Sequence, residues 1–372
     1  MKAAVTAVRT AVYRFPTPVP EADGTLEWDA TTAVAVEVDA AGRTGLGWTY
    51  SSGAAAAVID GELAGVVTGR DAFDVAGLAE AMHRAGRNLG TRGLFAQAQS
   101  AVDIALWDLK ARLLDVPLAD LFGRVRDRVP VYGSGGFTTY SDAQLAEQVE
   151  GWRKAGCPAM KIKIGESWGQ RPQRDLERVG RLRELAGNDV DLMVDANGGY
   201  SPGQARRIGG LLDELGVVWF EEPVSSDDLD ELGQLRLRLG CDVAAGEYVA
   251  DVREAARLIP VVDCLQLDVT RCGGYTGWFR CASLAAAAGL QVSGHCAPSL
   301  HAPVAAALPE LRHVEWFADH ARLEPLLVDG APPVEDGALL VPDAPGHGMT
   351  LRPRAEEWRV GREEDRGRKK TC

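Results

Sequence analysis

From Val129 onward the chain alternates short apolar runs with amphipathic helical segments, and this alternation restricts the fold more than any other feature. The runs are Val129–Tyr132, Ala159–Ile164, Val190–Val194, Val217–Phe220, Val243–Ala245, Cys264–Leu267, Leu290–Ser293 and His313–Trp316. Short apolar runs of this kind are what strands buried on both faces require. Ser141-Asp142-Ala143-Gln144 and Ser201-Pro202-Gly203-Gln204 are capping boxes that open two of the intervening helices. Eight strands separated by helices, over about the length of a typical barrel, predict a (β/α)8-type barrel. The competing arrangement is a doubly wound open sheet. Its fingerprint is poor, because Gly133-Ser134-Gly135-Gly136 lacks G-x-G-x-x-G spacing and reads as a loop.

The first third has a different order. Val5–Tyr13, Thr32–Val38 and Thr44–Tyr50 read as strands, with a Pro- and acid-bearing loop at Phe15–Asp29. Helical patterns follow at Val75–Arg87 and Gln97–Leu114, and strands before helices is the α+β order. The expected division is an α+β domain over residues 1–125, a barrel over 126–325, and a C-terminal segment over 326–372. Within the last, Arg362–Lys370 is a mixed charge run expected to be a solvated, frayed tail.

The formal net charge of -13 repels phosphate backbones and argues against nucleic acid as a partner. Seven scattered cysteines without a C-x-x-C pair suit buried thiols in a reducing cytoplasm. Met1–Arg14 is broken by Lys2, Arg9 and Arg14, so no signal-peptide core is expected there. The uncharged stretch Cys281–Pro309 contains polar residues and prolines and does not read as a membrane span.

Catalytic groups of a parallel barrel sit at the C-terminal ends of its strands. Seven consecutive runs end in ionisable residues: Lys161 and Lys163, Asp195, Glu221, Glu247, Asp268, His295 and Glu315. Asp195, Glu221 and Glu247 lie 26 residues apart (221 − 195 and 247 − 221), one β/α unit each. Three carboxylates aimed at one spot need a cation, and oxygen-only ligation favours a hard one, Mg²⁺, with Mn²⁺ as a substitute. A zinc hydrolase would instead want histidine ligands. Lys161 and Lys163, spaced by two, share one face of their strand. Each is expected to disfavour the other's charge, leaving a neutral amine as base. Asp268 and His295, 27 residues apart (295 − 268), suit an acid/base dyad. His301 falls in the following helix and reads as structural. Glu315, between apolar neighbours, is expected to stay protonated and donate a hydrogen bond.

Together, Lys161-x-Lys163, Asp195-x-Asn197, Glu221-Glu222-Pro223, Gly246-Glu247, Asp268 with Gly273-Gly274, His295 and Glu315 resemble the enolase superfamily, in particular its mandelate racemase subgroup. The resemblance covers nearly the whole chain. It implies a modified (β/α)7β TIM-type barrel with an N-terminal α+β capping domain, the C-terminal segment returning to the cap. It also implies a symmetric homo-oligomer acting on a small-molecule carboxylate. The implied chemistry is Mg²⁺-assisted removal of the proton next to that carboxylate, through an enediolate; the pairing of a Lys or His base with Mg²⁺ is a known pattern for these enzymes. Lys161 would neutralise the carboxylate, Asn197 would support the site near the metal, and Lys163 and His295 would face opposite sides of the α-carbon. Muconate-lactonizing and dipeptide-epimerase groups carry a lysine where this chain has the Asp268/His295 dyad. Most subgroup members act on acid sugars, so dehydration to a 2-keto-3-deoxy acid is favoured over racemisation of a 2-hydroxy acid, and a non-catalytic metal-binding barrel is the remote alternative. Substrate contacts are expected from the cap, at Arg14, Trp48 and Tyr50.

Overall fold

A computed structural model describes residues 2–361; the charged tail at Arg362–Lys370 lies outside them. Eight strands form the barrel: β4 (Arg128–Gly135), β5 (Ala159–Lys163), β6 (Asp191–Asp195), β7 (Val217–Glu221), β8 (Asp242–Ala245), β9 (Cys264–Leu267), β10 (Gln291–Gly294) and β11 (Leu311–Phe317). They run parallel in sequence order, and β11 pairs back onto β4 with Glu315 opposite Tyr132, which closes the cylinder. Both predicted capping boxes form, at Ser141 with Gln144 and at Ser201 with Gln204. The glycine run expected as a loop is largely strand, since β4 extends through Gly135. Gly133 is required there because a Cβ would fall about 2.3 Å from Trp152 of the covering helix.

Side-chain alternation explains how an apolar barrel presents charge at one end. On β5, Met160 and Ile162 face outward into the main core while Lys161 and Lys163 point inward. Inward residues nearer the strand starts, including Ala159, Met193, Trp219 and Cys264, fill the interior with a separate apolar layer. The ionisable residues sit above that floor, at the C-terminal ends.

The cap is an antiparallel sheet of β1 (Val5–Ala22), β2 (Glu27–Ala40) and β3 (Arg43–Tyr50), with α1 (Val75–Ala85) and α2 (Leu94–Leu114) beside it. Gly45 and Gly47 let β3 approach α2: a Cβ at Gly47 would lie 2.3 Å from the Ala101 carbonyl oxygen. Phe15–Asp29 is not the expected loop. It is a continuation of the β1–β2 hairpin, with a register break between Pro16 and Glu21. Pro16, Pro18 and Pro20 are accommodated because β1 is an edge strand. Short helical segments between residues 54 and 67 were also not anticipated. The C-terminal segment touches the cap, with Trp358 against Phe15 and the Val360 amide donating to the Val12 carbonyl. Among the described residues, no helix is long and apolar enough to cross a membrane.

Candidate active site

The tip of the β1–β2 hairpin sits on the barrel mouth. Asp23 Oδ1 accepts from the amides of Thr25 and Leu26, a side-chain-stabilised turn. Gly24 then packs so closely that a Cβ would lie 2.6 Å from the Ala196 oxygen and 2.7 Å from the Ile164 oxygen. Between this hairpin and the strand ends lies a cavity of about 380 Å³, large enough for a small ligand. Its walls include Trp28 and Tyr50 from the cap, and Lys163, Asn197, Glu247 and His295 from the barrel.

The three expected metal ligands do converge. Asp195, Glu221 and Glu247 each offer a carboxylate oxygen, and these atoms lie within 4.8 Å of one another. Glu221 Oε2 accepts from Lys161, Trp219 Nε1 and Gln266 Nε2, whereas its Oε1 is buried with no partner. Burial and the nearby Asp195 charge push the Glu221 carboxyl up to about 8. A buried, unpartnered carboxylate oxygen among like charges fits a divalent cation with oxygen preference. Asn197, at φ 45°, turns its amide back to Asp195 Oδ1 and lines the cavity with an unpartnered Oδ1.

Both lysines point into this carboxylate group. Lys161 Nζ lies 2.6 Å from Glu221 and 2.8 Å from Glu315, and Lys163 Nζ lies 2.5 Å from Asp195. The expectation that one amine discharges the other is therefore corrected. Burial lowers both lysines, but the surrounding carboxylates outweigh it and hold both above their ordinary value. Glu315 is corrected likewise. Burial alone would raise it, yet Lys161, His295 and Lys163 keep it well below its ordinary value, so it is ionised. Ser134 Oγ and the Cys296 amide also donate to it.

On the facing strands, His295 Nδ1 lies 2.9 Å from Asp268 Oδ2 and its Nε2 lies 3.2 Å from Glu247 Oε2. Burial opposes the charged imidazole, but Cys296, Glu247 and Asp268 raise it well above its ordinary value. Asp268 is buried, which raises its carboxyl, but His295 and Arg271 bring it down to about 2. Thr270 donates twice to its other oxygen. His301 is a structural residue here: its Nε2 accepts from the Val269 amide.

Two substrate contacts expected from sequence do not reach the cavity. Arg14 is exposed and pairs with Asp29. Trp48 is fully buried against His347, in the apolar cluster shared with the barrel rather than in the cap's own core. Arg14 lies within β1 and Trp48 within β3, and neither lines the cavity. Tyr50 does line the cavity, stacked on His320 and donating to Glu324. Sequence reasoning missed Arg271, which bridges Glu247 and Asp268 at 2.9 and 3.3 Å. It also missed Cys296, whose Sγ lies 3.2 Å from His295 Nε2. Gln266 was findable, because it lies two residues before Asp268 and shares its inward face.

Residues 4–123 match the mandelate racemase/muconate lactonizing enzyme N-terminal domain, and residues 144–355 match the enolase C-terminal domain-like family. The chain is similar to the L-talarate/galactarate dehydratase of Salmonella typhimurium, with 33% identity over 85% of this chain and 79% of that one. A crystal structure of that enzyme with Mg and L-lyxarohydroxamate superposes at a TM-score of 0.89 and 29% identity, covering 96% of this chain and 93% of the other. The 3,6-anhydro-alpha-L-galactonate cycloisomerase of Streptomyces coelicolor is 34% identical over 92% of this chain and 96% of its own. A mandelate racemase/muconate lactonizing enzyme-like protein from Rubrobacter xylanophilus is 45% identical at a TM-score of 0.92, covering 96% and 100%.

Proposed function

The chain belongs to the mandelate racemase/muconate lactonizing enzyme family of the enolase superfamily and is an enzyme of that kind, and from that premise we propose that it dehydrates an acid sugar to a 2-keto-3-deoxy acid. The observation that carries this reading is that Lys163 and the His295–Asp268 dyad open onto one cavity beside Asp195, Glu221 and Glu247.

In this reading Asp195, Glu221 and Glu247 hold Mg²⁺, which supplies positive charge to a substrate carboxylate when bound. Lys161 keeps Glu221 and Glu315 oriented and adds fixed positive charge at the floor of the site. Asn197 and Tyr50 supply polar contacts at the wall. Asp268 fixes His295 with its Nδ1 protonated, so Nε2 faces the cavity and carries the deliverable proton. A raised imidazole suits an acid that protonates a departing β-hydroxyl. Lys163 must lose its own proton before it can take the substrate's, so abstraction through Lys163 strengthens as pH rises.

Racemisation of a 2-hydroxy acid is the second reading, favoured by the same two acid/base groups on one cavity. The two differ only in whether the substrate carries a β-hydroxyl. Screening diacid and monoacid sugars for 2-keto acid formation tests the proposal. Turnover confined to stereochemical inversion of 2-hydroxy acids, with no keto acid from any sugar, refutes it.

A further inference from the structure

Beyond the oxygen-only carboxylate set lies a second group of metal-binding atoms with different chemistry. His295 Nε2 and Cys296 Sγ are 3.2 Å apart, Cys296 Sγ and Glu315 Oε2 are 3.3 Å apart, and His295 Nε2 and Glu315 Oε2 are 3.8 Å apart. A tetrahedral zinc ion with bonds of about 2.0–2.3 Å holds its ligand atoms about 3.3–3.7 Å from one another. The point equidistant from these three atoms lies about 2.0 Å from each. Cys296 and Ala297 both adopt positive φ, 50° and 38°, and the chain there sets the thiol against the ring of the preceding residue. The Cys296 amide, donating to Glu315 Oε2 at 2.9 Å, fixes the third ligand to the same turn. His295 and Cys296 both line the cavity, so a cation reaches them from solvent.

We propose that His295, Cys296 and Glu315 form a second cation site, selective for a soft divalent ion such as Zn²⁺, whose occupation inhibits the enzyme. Carboxylates alone favour Mg²⁺, whereas a thiolate and an imidazole favour Zn²⁺, so the two sites discriminate by ligand softness. Binding forms a metal–sulfur bond and releases the thiol proton to solvent. It also displaces the Nε2 proton of His295 to solvent and takes up the freed lone pair, so the ring has no proton to deliver there. The inhibition rests on the acid/base role given to His295; the binding does not.

The test uses full-length protein saturated with Mg²⁺ and titrated with Co²⁺ as a coloured probe. One equivalent should give a thiolate-to-metal charge-transfer band that Zn²⁺ bleaches. Cys296→Ser should lack the band and Cys272→Ser should keep it; Cys296→Ala serves if the serine variant does not fold. In turnover, Cys296→Ser should need at least tenfold more Zn²⁺ than wild type to lose half of its own activity. Absence of the band, or its survival in both Cys296 variants, overturns the site. A band that depends on Cys296 but leaves activity unchanged overturns the inhibition and counts against His295 as the acid.

Discussion

Replacing Asp268 with Asn separates the electrostatic work of the dyad from its packing. Asn keeps the shape and can still accept from the Thr270 amide and hydroxyl through Oδ1. Its NH₂ group then faces His295 Nδ1, where Asp268 Oδ2 now lies at 2.9 Å. A donor facing that nitrogen opposes its protonation, and the carboxylate charge that stabilises the imidazolium is gone. A hydrogen bond to a charged group contributes about 1.5–3 kcal/mol. At 1.36 kcal/mol per pH unit, the His295 ionisation should fall by about 1–2 pH units. An acid is active while protonated, so dehydration is lost as pH rises through that ionisation. The alkaline limb of kcat against pH should therefore move down by about 1–2 units in Asp268→Asn, with kcat at its plateau reduced about 10–100-fold. Glu247, 3.2 Å from Nε2, keeps part of the stabilisation, which bounds the shift from above. An alkaline limb that stays in place while kcat falls would show that Asp268 acts only through packing, and the acid role of His295 would lose its support.

Three further outcomes are expected. His295→Asn should reduce dehydration about 10²–10⁴-fold while Lys163 still exchanges the α-proton with solvent deuterium, followed by NMR; loss of both together would assign both steps to His295, and wild-type rates of both would remove the dyad from the mechanism. Chelation with EDTA should abolish turnover and Mg²⁺ or Mn²⁺ should restore it, while Glu221→Gln should weaken metal binding in calorimetry; turnover after complete chelation would dismiss the metal. Gly47→Ala places a methyl 2.3 Å from the Ala101 oxygen and 2.6 Å from the Ala105 nitrogen, an overpacking that should cost about 1–3 kcal/mol and lower the Tm; an unchanged Tm would mean the β3–α2 contact yields freely.

Much of the site is legible in the sequence because its logic is local. A parallel strand buried on both faces must read as a short apolar run, so the eight barrel strands stood out, and their ends marked where charge is tolerated. Period-2 alternation placed Lys161 with Lys163, and the 26-residue β/α repeat aligned Asp195, Glu221 and Glu247. The proline-rich hairpin was not legible, because Pro16, Pro18 and Pro20 forbid a central strand but not an edge, and edge position is a property of the assembled sheet.

The sequence by itself determined which residue types stand at the barrel mouth, since strand identity and side-chain parity depend on near neighbours. Tertiary structure alone decided their charge states and their partners. Lys161 meets Glu315 across 154 positions of chain (315 − 161), a contact that exists only because β11 closes onto β4. That closure turns an expected neutral carboxyl into an ionised one. The packing of neighbouring strand ends places Arg271 between Glu247 and Asp268, and Trp48 is buried against His347 rather than in the cavity. The physical reason is that ionisation is set by every charge within a few ångströms in a dry interior, and distance in space is what the linear order of residues does not contain.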